Sequence, residues 1–153
     1  MLLWIPCLDF ATIMSDLLRR KVATEKTMRK YRARAFDWRN RSTCIHFARF
    51  QMRQMGHRPP AIPDIRSPIS ARSALKATGY DDLAALLDSL LPRIAPAAML
   101  LGDLALVAGD PEDAGGFDSI VVSGGDKLFG WHPDDPSGIK PLIVRELIGA
   151  WRL

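Results

Sequence analysis

The apolar pattern of this chain changes period near Met99, and that change limits the folds open to it. Before Met99 apolar residues recur at helical spacing. After it they fall in short runs separated by Gly, Asp and Pro clusters, the mark of strands and turns. Residues 100–107 read as a turn followed by a strand, and 118–122 as a second strand. Gly124-Gly125 supplies the positive φ angles of a tight hairpin, and 127–131 is the third strand. A turn-rich loop over 132–138 leads to a fourth strand at 139–142, then a short helix over 143–148 ending at Gly149, with Trp151-Arg152-Leu153 as an apolar tail. Helices followed by a run of strands predict an α+β fold, with N-terminal helices packed on a small antiparallel sheet.

The helical half divides at its caps and breakers. Residues 1–8 are apolar and broken at Pro6. Asp9 is placed to cap a helix carrying Phe10, Ile13, Met14, Leu17 and Leu18, closed by Arg19-Arg20-Lys21, cations that suit a helix C-terminus. Thr24 starts a second helix through Arg34, read as a surface helix anchored by Met28 and Tyr31. The prolines at 59, 60 and 63 stiffen a linker. Ser70 then caps a helix over 71–78 stopped by Gly79. Asp81 or Asp82 caps another through Leu86, Leu87, Leu90 and Leu91, stopped before Pro92. Residues 1–23 form an extension, helical in pattern, and 24–153 a single domain.

Between these lies the stretch with chemical potential. The aromatic pair Phe36 and Trp38 leads into a polar loop. Ser42 or Thr43 offers a capping hydroxyl, and a helix runs from Cys44 to Gly56. A cysteine in a first helical turn faces unpaired N–H groups and the positive end of the helix dipole, which favour thiolate. The same position suits a small apolar residue entering the core. On a wheel of ~100° per residue, Ile45, Phe47, Ala48, Met52 and Met55 share the Cys44 side. His46, Arg49 and Arg53 fall opposite, so His46 does not serve as a base for Cys44.

Charge is unevenly spread. Residues 1–60 hold 13 of the 21 Lys+Arg and 4 of the 17 Asp+Glu, a balance of +9, and the remainder carries −5. The basic half points to an anionic neighbour or to a solvated helix face. No aromatic-interleaved nucleic-acid motif accompanies it. Two cysteines, Cys7 and Cys44, give no disulfide framework and no zinc-finger spacing. No run reaches the ~18 apolar residues of a membrane span, and no signal peptide is evident. Gly124-Gly125-Asp126 lacks the strand-to-helix setting of a phosphate loop. Asp110, Glu112, Asp113 and Asp118 lack calcium-loop spacing. No cofactor is implied.

The order helices, cysteine-led helix, then strand meander resembles the plan of NlpC-type papain-like peptidases. Phe36-x-Trp38 followed by Cys44, Gly102-Asp103-Leu104, and the run Ser119 to Gly125 are similar to the opening loop, first core strand and hairpin of that class. Over about residues 24–153 the chain also resembles a family of small phage and prophage tail-cluster proteins. Those carry an aromatic–Trp opening before a Cys, a Gly-Asp strand start, a Gly-Gly hairpin and a terminal Ala-Trp-Arg, here Ala150-Trp151-Arg152. The resemblance implies a role near the tail tip, in a setting where cell-wall peptidases are common.

The chain departs from that pattern where chemistry would be done. The position of the catalytic histidine, at the start of the second core strand, holds Phe117 or Asp118. Phenylalanine accepts no proton, and a carboxylate is a weak base that repels a thiolate. Thr43 replaces Asp before the cysteine and Arg39 stands where Gly is usual. His132, the only histidine of the strand half, is the remaining candidate base for Cys44. The expected function is a tail-associated structural or assembly protein on a non-catalytic NlpC-type scaffold, partnered by other phage tail proteins. It would be found in the host cytoplasm during assembly and then in the virion tail. The rival is a peptidoglycan-directed cysteine hydrolase with Cys44 as nucleophile and His132 as base. A nucleic-acid-binding module using the basic half is the weaker third reading.

Overall fold

The computed structural model describes residues 10–110, 117–144 and 146–153. The fold is α+β. Helices α1 (Phe10–Tyr31), α2 (Cys44–Gln54), α3 (Pro68–Ala77) and α4 (Leu83–Leu90) precede a sheet of β1 (Arg93–Ile94), β2 (Leu104–Val107), β3 (Ser119–Ser123), β4 (Leu128–His132), β5 (Asp135–Leu142) and β6 (Gly149–Trp151). The sheet order is β1-β6-β2-β3-β4-β5, with antiparallel neighbours throughout.

Strand alternation sorts the sheet into two faces. Leu104, Leu106, Ile120, Val122, Trp131, Ile139 and Trp151 join the main core with Tyr31, Phe47, Met52, Leu83 and Leu87 from the helices. The opposite face carries Ala105, Val121 and Ala150, with Met99 and Leu147 packed against them.

One buried carboxylate joins three distant segments. Asp103, fully buried at the entry to β2, accepts from Arg20 Nη1 (3.0 Å) and Leu153 N (3.0 Å) on Oδ1. Its Oδ2 accepts from Leu100 N (2.8 Å) and Arg152 Nε (2.9 Å). Arg20, 4% exposed, also donates to Leu101 O, Leu153 O and Asp16 Oδ2. Gly102 is required beside it: its φ is +90°, and a Cβ there would lie 2.8 Å from Thr24 Oγ1 and 3.0 Å from Gln51 Nε2. The Gly-Asp and Ala-Trp-Arg motifs therefore meet in one structural joint.

Several sequence expectations are corrected. The two N-terminal helices are a single helix, α1. Arg20 turns inward to Asp103 instead of closing a helix, and Thr24 bonds Gln51 Nε2 instead of capping. The later half of α1 is not a surface helix: Ala23, Thr24, Thr27 and Tyr31 are buried. In its earlier half Ile13, Met14, Leu17, Leu18 and Val22 stay between 45% and 61% exposed. Ser67, not Ser70, is the N-cap of α3, and Ser70 completes its capping box from the third helical position. For α4 the cap is Asp82, which accepts from Ala85 N at 2.8 Å.

The last two sheet elements also differ. The fourth strand begins earlier, at Asp135, and takes in Pro136 and Gly138. An edge strand tolerates a residue without an N–H, and Pro136 O accepts from Phe36 N at 2.9 Å. The described residues of 143–148 form no helix, and Gly149–Trp151 is strand β6 rather than a tail. Ile148 N donates to Leu106 O at 2.8 Å, so this backbone is committed to the sheet. The expectations for residues 1–8 and for the Asp9 cap, and those for Glu112 and Asp113, lie outside the described residues.

Removing the Asp103 carboxylate leaves the buried Arg20 guanidinium with Asp16 as its one carboxylate partner among the described residues and strips Leu153 N of its acceptor; breaking a buried pair typically costs about 3–5 kcal/mol. Asp103→Ala is therefore expected to lower the unfolding free energy by about that amount, read as an earlier urea midpoint with little change in slope.

Candidate functional site

The thiol at the head of α2 sits where the sequence places it, but its surroundings are closed. Thr43 occupies the N-cap position in extended backbone, yet its hydroxyl makes no capping bond. Instead Thr43 Oγ1 shares a 2.8 Å hydrogen bond with His46 Nδ1, and Ser42 Oγ donates to Ala35 O at 2.7 Å. The backbone N–H groups of the first turn are thus left near the sulfur. Cys44 is 4% exposed and its Sγ donates to Asp118 O at 3.8 Å, a weak contact. Burial dominates its acidity and pushes the thiol up to about 11. The Ile120 N–H, the Ser119 hydroxyl and the N–H groups of Cys44 and Ile45 pull the other way and lose.

The two residues expected at the position of a base, Phe117 and Asp118, make other contacts. Asp118 turns its carboxylate to Gly109 N (3.0 Å) and offers the sulfur only a carbonyl oxygen. Phe117 packs edge-on against Trp38 at 5.7 Å and lies under the Arg72 guanidinium at 6.0 Å. The aromatic wall continues from Trp38 to Phe36 (5.6 Å), Trp131 (5.4 Å) and Phe47 (5.5 Å). Trp131 Nε1 donates to Arg34 O at 2.9 Å and ties β4 to the loop that follows α1.

His132 follows Trp131, with a register shift between them, at the end of β4. Its side chain is 48% exposed, and its Nδ1 accepts from Asp134 N at 3.1 Å. No hydrogen bond joins it to Cys44 among the described residues. Asp135 accepts from Ser137 N and Oγ and pairs with Lys140. Among the described residues no group of three or more His, Cys, Asp or Glu is placed to hold a metal ion.

A second cluster lies on the far side of α2. His46 points away from Cys44, as its wheel position requires, but it is 7% exposed rather than solvated. Its ring is held neutral, with the pKa depressed to about 4, by burial first and then by Arg41, Arg34 and Arg49. With Lys30 and Arg53 these residues line a depression of about 220 Å³. Sequence reasoning placed His46, Arg49 and Arg53 on one face. It missed the closure of that face by Lys30 of α1 and by Arg34 and Arg41 of the loop between α1 and α2. The sequence pattern carries the helix through Arg34, whereas α1 ends at Tyr31 and Arg34 lies in the loop that follows.

The chain matches the family described as Domain of unknown function (DUF6950) over residues 18–153 and belongs to it. No curated protein and no solved structure matches the chain. Among the described residues no helix is long and apolar enough to cross a membrane.

The buried thiol makes a pH test available. Its pKa is raised on folding, so the native state keeps a proton that the unfolded chain releases above about pH 8.5. Stability from this group is fully present below that pH and is lost as pH rises toward 11. The difference in unfolding free energy between the native chain and Cys44→Ala should be constant below pH 8. Between pH 9 and 11 it should move against the native chain by about 2–3 kcal/mol, read by urea titration at each pH.

Proposed function

We propose that this protein is a phage or prophage tail-associated structural or assembly protein, built on an NlpC-type peptidase scaffold and not catalytic. The observation that carries the non-catalytic half is the Cys44 environment: a sealed thiol, pushed up in pKa, whose nearest acceptor is the Asp118 carbonyl. A nucleophilic cysteine needs thiolate and an acceptor for its proton. Here neither Phe117 nor Asp118 supplies one, and His132 hydrogen-bonds within its own turn.

The tail assignment is supported by the order of sequence motifs that resemble tail-cluster proteins. Two of those motifs, Gly102-Asp103 and Trp151-Arg152, build the joint around Asp103 instead of a reactive centre. The exposed apolar residues of α1, Ile13, Met14, Leu17, Leu18 and Val22, fit a helix that docks on another tail protein. The neighbouring Lys and Arg side chains suit an acidic rim on that partner.

Complementation tests both halves. Deleting the gene from its phage or prophage should abolish or malform tails in electron micrographs. A copy carrying Cys44→Ala should restore infectious particles to within a few-fold of the native copy. Normal particles from the deletion would overturn the tail role. Failure of a folded Cys44→Ala protein, together with peptidoglycan cleavage by the native chain, would establish the hydrolase instead.

A further inference from the structure

We propose that the depression between the C-terminal half of α1 and α2, lined by Lys30, Arg34, Arg41, His46, Arg49 and Arg53, binds a phosphate monoester dianion. The site is independent of whether the chain works in a tail. Five cations from three segments converge on one concave volume of about 220 Å³. None of the five makes an ion pair with a described residue, although ion pairs occur elsewhere on the same helix α1, at Arg19, Arg20 and Lys21. Their mutual repulsion is visible at Lys30, whose pKa is lowered by burial first and then by Arg34 and Arg53. An anion among these side chains would set attraction against that repulsion.

The floor of the depression carries the second, independent observation. His46 is 93% buried by its 7% exposure, and its Nδ1 is engaged by Thr43 Oγ1 at 2.8 Å. Its Nε2 is buried and has no partner among the described residues. Buried polar atoms are almost always paired, and an exception calls for a ligand or a role. In the tautomer where Thr43 Oγ1 donates to Nδ1, the ring proton sits on Nε2, a donor left for an anion oxygen. Burial first, and then the surrounding cations, keep the ring neutral, so His46 does not add a sixth charge.

The tethers suit a tetrahedral oxyanion. Arg49 Nε is spent on Pro60 O at 2.9 Å and Arg34 Nη2 on Asn40 O at 3.3 Å, which fixes the two guanidinium planes. Planar forks of this kind bind phosphate oxygens in pairs. Lys30 lies 4.2 Å over the Phe50 ring, while exposed Arg41 and Arg53 can close over a bound group. The volume suits one phosphate with its ester stub and not a nucleic-acid strand. Arg49 and Ile62 also line the neighbouring apolar trough between α2, the 59–63 linker, α3 and α4, so an organic substituent has a wall to lie on.

Calorimetry on the full chain, with hexyl phosphate, inorganic phosphate and a mixed-sequence DNA duplex as probes, tests the assignment. Saturable one-to-one binding of both phosphates is expected, tighter for hexyl phosphate and unaffected by chloride at matched ionic strength. Arg34→Gln and Arg49→Gln should each weaken it at least tenfold. His46→Phe, which keeps the ring and removes the donor, should weaken it several-fold, while Arg29→Gln outside the depression should leave it unchanged. Each variant is checked by its urea midpoint, and a single folded depression variant is enough to decide. Equal losses at Arg29 and Arg34, no loss at any depression residue, or binding of the duplex alone would overturn the proposal.

Discussion

The carboxylate of Asp103 is the interaction on which the rest of the arrangement depends. A buried charge is tolerated only when it is paired and its lone pairs are filled. Asp103 meets both conditions with two guanidiniums and two backbone N–H groups. The four partners come from three stretches: Arg20 from α1, Leu100 from the turn before β2, Arg152 and Leu153 from beyond β6. Satisfying one side chain therefore sets where the long helix lies against the sheet and where the last strand ends. Gln51 adds α2 to the joint by donating to Thr24 Oγ1 and Gly102 O. The position of Cys44, one element away, is a consequence of this framework.

What happens at Cys44 is decided by magnitudes. Two influences act on a thiol at a helix start: local dipoles favour the anion, and removal from water disfavours it. In an open cleft the dipoles win and a nucleophile results. Here the thiol lies in the main core cluster with Phe47 and Trp131, and burial outweighs four favourable donors. The same helix start could thus serve chemistry or packing, and the neighbours determine which.

Elements whose signals are local were legible in the sequence. Strands β2, β3 and β4 read as short apolar runs between turns, Gly124-Gly125 marks the hairpin of β3 and β4, and Asp82 and Gly79 punctuate the short helices. What was missed depends on partners far along the chain. Arg20 looks like a helix-ending cation until Asp103 is brought beside it, and the continuity of α1 follows from that pairing. Gly149 to Trp151 carries only three residues of pattern and becomes a strand because a slot between β1 and β2 is open. For the candidate site, the helix wheel correctly separated His46 from Cys44. It could not show that Arg34 and Arg41 arrive to bury the ring, since neither lies on α2. The cysteine was evident; the absence of an imidazole from its hydrogen bonds needed coordinates.

The place of β6 bears on how the chain acquires its shape as it emerges from the ribosome. Strands β1 and β2 are made some forty residues or more before the one that lies between them. Until residues 149–151 arrive, both present bare backbone edges, and Trp151 cannot fill its fully buried slot beside Asp88. Translation thus leaves a nearly complete but open sheet in need of its keystone, and a ribosome pausing late in the message would prolong the interval in which those edges meet another nascent chain.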